Sequence, residues 1–106
     1  MNDKLNSILK SIDNYLQNIY HDELDKVILF GSQARGDATF QSDIDILIVL
    51  KHSFSYYQEV KKISEFISEL SLEYNQLISC CFTTSQQWEI ENSAFYRNIH
   101  REGIVL

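Results

Sequence analysis

The chain has 106 residues and a net charge of −6, from nine basic and fifteen acidic side chains. That length holds one small domain, residues 1–106, and excludes a two-domain enzyme. A composition 44% hydrophobic and 23% charged belongs to a globular domain with a core, not to a disordered chain. The acidic balance, with Lys61-Lys62 as the densest basic run, argues against stand-alone nucleic-acid binding. No apolar run approaches the ~20 residues that cross a bilayer, and residues 1–10 lack a secretory signal. A cytoplasmic protein with no membrane partner is expected.

In chain order, Leu5, Ile8, Leu9, Ile12, Tyr15, Leu16 and Ile19 recur at the helical period, with Asn2 or Asp3 available as cap. Lys26 to Phe30 is a short run of strand formers ended by Gly31. Residues 43–50, DIDILIVL, predict a second strand, buried on both faces over its second half. A long helix follows, with Tyr56, Val60, Ile63, Ile67, Leu70 and Tyr74 on one stripe and Ser55 and Gln58 at capping-box spacing. Residues 77–83, LISCCFT, predict a third strand. Thr84 and Gln87 repeat the capping-box spacing before a last helical region, and Gly103 releases the apolar tail Ile104-Val105-Leu106. The order indicates an α/β or α+β fold, a small mixed sheet covered by helices.

Cys80 and Cys81 are neighbours in the third strand, so their side chains point to opposite faces and do not pair. They read as small buried hydrophobes. Tyr96, Arg97, His100 and Arg101 are expected as a solvated helix face opposite Phe95 and Ile99, the alternative being a partner-facing patch on the last helix.

The chemistry concentrates between residues 31 and 45. Two of the three glycines bracket Ser32-Gln33-Ala34-Arg35. Gly31, directly after a strand, lets a ligand come close to the backbone. Gly36 falls where a left-handed residue would end one helical turn. Free amides at the start of that turn, with the Ser32 hydroxyl, suit a phosphate. Asp43 and Asp45, two residues apart on a strand, project from one face with alpha-carbons roughly 6–7 Å apart. Leu47 and Val49 continue their face into the core, and no Lys or Arg lies within the strand to neutralise the pair. A divalent cation meets that need, since one or two aspartates plus substrate phosphates describe a typical Mg²⁺ site.

Gly31-Ser32, ten intervening residues and then Asp43-Ile44-Asp45 resembles the signature of the polymerase-beta-like nucleotidyltransferase superfamily. The fuller string GSQARGDATFQSDIDILIVL is similar to that of the minimal nucleotidyltransferases, with Gly31, Ser32, Ala34, Arg35, Gly36, Ser42, Asp43 and Asp45 on the motif. The resemblance implies that fold over the whole chain. It also implies ATP as substrate, two Mg²⁺ ions held by the catalytic Asp43 and Asp45, and nucleotide contacts from Gly31, Ser32, Arg35 and Ser42. The reaction it implies is attack of an acceptor hydroxyl on the alpha-phosphorus with release of pyrophosphate. A salt bridge from Arg35 to Asp37 or another local acid is the competing expectation for that side chain.

Members of the superfamily that turn over usually bring a third carboxylate from the next strand. No Asp or Glu lies between Gln76 and Gln87, and Asn75 stands where aspartate is expected, with Glu73 the nearest substitute. These 106 residues leave no room for the second domain that grips base or acceptor in larger relatives, so none is expected within them. Either a partner protein completes the site or the subunit self-associates. By resemblance the partner is a helical HEPN toxin whose tyrosine receives AMP, the chain being the antitoxin of a toxin–antitoxin module. The alternative is a nucleotidyltransferase fold that silences its partner by binding alone.

Overall fold

The computed structural model describes residues 2–106. Helix α1, Asp3–Tyr20, starts at Asn2, whose side-chain oxygen accepts from Leu5 N at 2.7 Å. It buries Leu5, Ile8, Leu9, Ile12 and Leu16, the stripe that the helical spacing predicts. A 3₁₀ turn, His21–Glu23, leads into β1, Leu24–Phe30. The one-turn helix α2, Ser32–Arg35, follows Gly31 at once, and residues 36–43 form a loop into β2, Ile44–Leu50. Asp43 therefore stands just before the strand rather than within it.

Helix α3, Tyr56–Tyr74, crosses back to β3, Ile78–Thr84. Its N-cap Ser55 makes no side-chain cap bond, so the spacing with Gln58 is not realised as a capping box. Thr84 does cap the next helix, accepting from Gln87 N at 3.1 Å. The last helical region is two helices, α4 at Ser85–Ile90 and α5 at Ala94–Glu102, and the apolar tail forms a fourth strand, β4 at Ile104–Val105. That strand was not legible from two residues of pattern; its pairing with β1 makes it.

The sheet order is β3-β2-β1-β4. β1 runs antiparallel to β2 and β4, and β2 runs parallel to β3 through the α3 crossover. The sheet is mixed and helix-covered, as expected. Alternation along the strands makes two cores. Val27, Leu29, Ile44, Ile46, Ile48, Ile78 and Phe82 pack under α1 and α3. Ile28, Leu47 and Val49 pack on the other face against Trp88 of α4 and Ile99 of α5. Each fully buried Ile or Leu contributes about 1.5–3 kcal/mol of transfer free energy. The described residues contain no helix long and apolar enough to cross a membrane.

Tyr96 on α5 lies differently from the expected solvated face, while Arg97, His100 and Arg101 are exposed as expected. Tyr96 is only half-exposed and its hydroxyl is 2.7 Å from Thr83 Oγ1, while the His100 ring stacks on Trp88 at 3.6 Å. Phe95, expected inside, is 47% exposed. The helix is rotated so that its aromatic N-terminal turn faces Phe30 at the end of β1, the two rings meeting edge to face at 5.7 Å.

Candidate functional site

Register brings the site together at the end of β1 and β2 where the chain turns into α2. Phe30 pairs with Asp45 across the antiparallel ladder, and Ser79 pairs with Asp45 across the parallel one. Paired residues project from the same face, so Asp45 stands between Phe30 and Ser79 above Leu47. Gly31 closes the arrangement. Its φ of +75° and ψ of −158° suit a residue without a side chain. A Cβ added there would also run into the Asp45 carboxylate. The glycine thus lets the backbone that opens α2 lie directly against a carboxylate oxygen.

Gly36 ends α2 in the left-handed conformation, φ +85°, with its N–H donating to Ser32 O at 3.0 Å. The loop that follows is pinned at Ser42. Ser42 Oγ accepts from Thr39 N at 2.9 Å, and the Ser42 carbonyl accepts from the side-chain amides of both Gln33 and Gln76. Those two glutamines, one on α2 and one just past α3, fix the point from which Asp43 emerges. Sequence reading assigned no part to either.

The electrostatics are those of two carboxylates short of a counter-charge. Asp45 is half-buried and its carboxyl is pushed above the usual carboxylate range, first by burial, then by the charge of Asp43; Arg35 opposes the rise. Arg35 is itself engaged, at 3.2 Å from Asp37 and 3.3 Å from Glu102 on α5. The competing expectation of a local salt bridge thus describes its contacts here, and Glu102 is a partner that spacing gave no way to find.

Asn75 and Glu73 lie elsewhere. Glu73 is exposed in the last turn of α3, and Asn75 is the helix C-cap, in the left-handed conformation with φ 51° and ψ 49°. Asparagine tolerates that backbone better than most residues, which accounts for its type there. The β3 residue beside Asp45 is Ser79. Among the described residues no group of three or more His, Cys, Asp or Glu is placed to hold a metal ion. Asp43 and Asp45 fit a cation that takes the rest of its oxygen ligands from a phosphate and water.

A mixed sheet ending in a Gly-Ser turn opposite paired aspartates defines the polymerase-beta-like nucleotidyltransferase fold, and comparison with known proteins agrees. The nucleotidyltransferase domain family model matches residues 6–105, and the chain belongs to that family. Two Methanocaldococcus jannaschii proteins, provisionally named as protein adenylyltransferases, are similar to it. One is 37% identical over 99 residues, 92% of this chain and 93% of its own. The other is 44% identical over 72 residues, 68% and 72% of the two chains. Among solved structures, a toxin–antitoxin crystal structure with AMP-PNP superposes with a TM-score of 0.64 at 17% identity, over 91% of this chain and 69% of that one. A provisionally assigned nucleotidyltransferase from Sulfolobus solfataricus gives 0.59 at 21% identity, over 96% and 75%. The chain is a nucleotidyltransferase; at these identities the solved structures speak to the fold.

Proposed function

We propose that the protein transfers AMP from Mg-ATP to a hydroxyl of a partner protein, and that it acts as the antitoxin of a toxin–antitoxin pair. The observation that carries this reading is the Asp45 carboxylate set against the Gly31 turn, held partly out of water and raised further by the charge of Asp43. The similarity to proteins named as protein adenylyltransferases supports a protein acceptor. The fold shared with a toxin–antitoxin structure supports a toxin as the partner class; a helical HEPN toxin with a tyrosine as the accepting residue is what the sequence resemblance implies.

In this reading Asp43 and Asp45 would hold two Mg²⁺ ions, which would supply stabilisation of the charge that develops during transfer. The Gly31-Ser32 turn brings backbone close to the phosphates, and the Ser42 loop fixes Asp43 beside them. The acceptor oxygen forms a bond to the alpha-phosphorus, the bond to the bridging oxygen breaks, pyrophosphate leaves with the electron pair, and the acceptor proton passes to solvent or partner.

A second reading, silencing by binding alone, draws on Ser79, because the position beside Asp45 carries a hydroxyl and not a third carboxylate. One experiment separates them. ATP labelled at the alpha-phosphate is added with Mg²⁺ to the chain and host lysate, with Asp43→Asn as control. A labelled protein band dependent on Asp43 is the expected result. A partner captured without label would overturn the transferase reading in favour of occlusion.

A further inference from the structure

The carboxylate pair has a cation close by that it does not hold. Arg35 N donates to Gly31 O at 3.1 Å, and Gly31 lies against the Asp45 carboxylate. The Arg35 side chain lines one cavity with Gly31 and Glu102, between the end of β1 and α5. Yet its guanidinium goes to Asp37 through Nε and to Glu102 through Nη1, and among the described residues no salt bridge joins it to Asp43 or Asp45. We propose that Glu102 is a positioning residue that holds Arg35 off Asp45, so that the carboxylate pair stays open to a divalent cation. The proposal rests on the nucleotidyl-transfer reading above and adds what keeps the metal ligands free before substrate arrives.

Glu102 is held still by its surroundings. It is the last residue of α5, and Gly103 behind it has no room for a side chain, since a Cβ there would meet Ile99 O and Ile28 Cγ2. Gly103 N donates to Ile99 O at 2.7 Å, and Ile104 pairs with Leu29 of β1. The backbone at Glu102 is thus fixed to the strand that leads into Gly31. Its two oxygens are divided, Oε1 accepting from Arg101 Nη2 and Oε2 from Arg35 Nη1, both at 3.3 Å. The Glu102 side chain is 25% exposed, against 63% for Asp37. Water screens an ion pair, so the less exposed Glu102 is the stronger hold and Asp37, on a loop, the weaker.

Charge decides where Arg35 goes without it. Asp45 is half-buried beside the charge of Asp43, and the field of Arg35 already reaches it. Two neighbouring carboxylates, one of them partly desolvated, attract a guanidinium more strongly than exposed Asp37 does, and the planar fork suits a bidentate pair. With the Glu102 charge removed, Arg35 turns to Asp45 and takes the oxygens that a metal ion needs. Arginine and metal then exclude each other, by charge and by shared ligand. Held aside, Arg35 still has Nη2 without a protein partner among the described residues, so the clamp leaves a donor for a phosphate.

The test is a Mn²⁺ titration of the full chain without nucleotide, followed by NMR through paramagnetic broadening of the Gly31 and Asp45 amide signals. The same spectra report that each variant is folded. Glu102→Gln keeps the shape and removes the charge. It is expected to need about tenfold more Mn²⁺ for equal broadening, the low end for one hydrogen bond to a charged group set against the metal. Adding Arg35→Gln to Glu102→Gln is expected to return the wild-type titration, because the competitor is gone. If Glu102 only braces α5 against α2, that second change gives no rescue. Wild-type behaviour in Glu102→Gln overturns the proposal, as does a loss that Arg35→Gln fails to rescue; either leaves the transferase reading standing. Wild-type chain whose Gly31 signal stays sharp overturns the proposal and the metal reading of the carboxylate pair together.

Discussion

On one face of the sheet, α1 and α3 cover Val27, Leu29, Ile44, Ile46 and Ile48 with side chains almost wholly out of water. The other face carries only the short helices α4 and α5 and buries a smaller set, Ile28, Leu47, Val49, Trp88 and Ile99. That second face stops short of the strand ends. Where it stops, Asp45, Ser79 and Phe95 stand partly in water. A strand whose two faces are treated so differently can hold a carboxylate at a cost the first core offsets. The difference teaches that stability and chemistry are divided between faces of one strand, β2, whose residues alternate between them.

The strongest way to break that division is at the carboxylates. Asp43→Asn and Asp45→Asn are each expected to lower transfer by about 10²–10³-fold, the equivalent of several kcal/mol of charge stabilisation, while the apo fold is kept. For Asp45 the sign can be worked through. Its carboxyl is raised above the ordinary 3.8, so the fold disfavours the ion. The stabilisation from Asp45 is therefore full below that ordinary value and is lost as pH rises through the raised one. Asp45→Asn should remove this loss: urea midpoints at pH 4 and pH 7.5 should differ less than in the wild type. A midpoint at pH 7.5 below that of the wild type would show that the carboxylate stabilises the fold.

The matching change on the first face is Ile12→Ala. Ile12 is fully buried in α1, and truncation there is expected to cost about 2–5 kcal/mol, read from denaturant unfolding. The folded fraction should bind Mg-ATP as the wild type does, because α1 touches the sheet on the face away from Asp45. Weakened binding at full folding would mean that the two faces are coupled.

Gly31→Ala tests the seam between them. A methyl at φ +75° is strained by about 1–3 kcal/mol and falls where the Asp45 carboxylate lies. Stability and transfer are expected to drop together, unlike either change above. Ser79→Asp is the milder test. It sets a third carboxylate beside Asp45 and is expected to raise transfer about tenfold, at the low end of general-base effects. It should cost the apo fold under about 1 kcal/mol through like-charge pairing. Asn75→Asp, at a helix cap, should leave the rate unchanged.

Much of this was legible in the sequence, for reasons that differ by element. The α1 stripe and the apolar run of β2 are single-element patterns: Leu5, Ile8, Leu9, Ile12 and Leu16 are buried with Tyr15 and Ile19 partly so, and β2 is buried on both faces after Asp45. The GS turn and its left-handed Gly36 were legible because glycine marks special backbone. Register was not. Nothing local in LISCCFT says which of its residues sits beside Asp45, so the third position fell to Asn75, a residue chosen by its helix cap. Nor does spacing reveal that the 104–105 tail pairs with β1, that Glu102 reaches Arg35, or that Phe95 turns outward over Phe30. Each is a contact between elements far apart in the chain, set by packing.

Cys80 and Cys81 give the smallest effect and the sharpest reading of the comparison, since adjacent residues face opposite cores. Burial, with the neighbouring Cys81, pushes the Cys80 thiol up to about 12. Burial, with the charge of Asp45, pushes Cys81 up to about 11. At pH 8 those values leave about one thiolate in ten thousand at Cys80 and one in a thousand at Cys81, so both should resist alkylation. Followed by mass spectrometry with iodoacetamide, Cys81 is expected to react first, through opening of α4 and α5, and Cys80 only through unfolding of the α1–α3 core. Ile12→Ala should then speed Cys80 far more than Cys81. Equal acceleration of both would mean that the two faces open as one unit, and that the thinly covered face has no separate motion with which to admit a substrate.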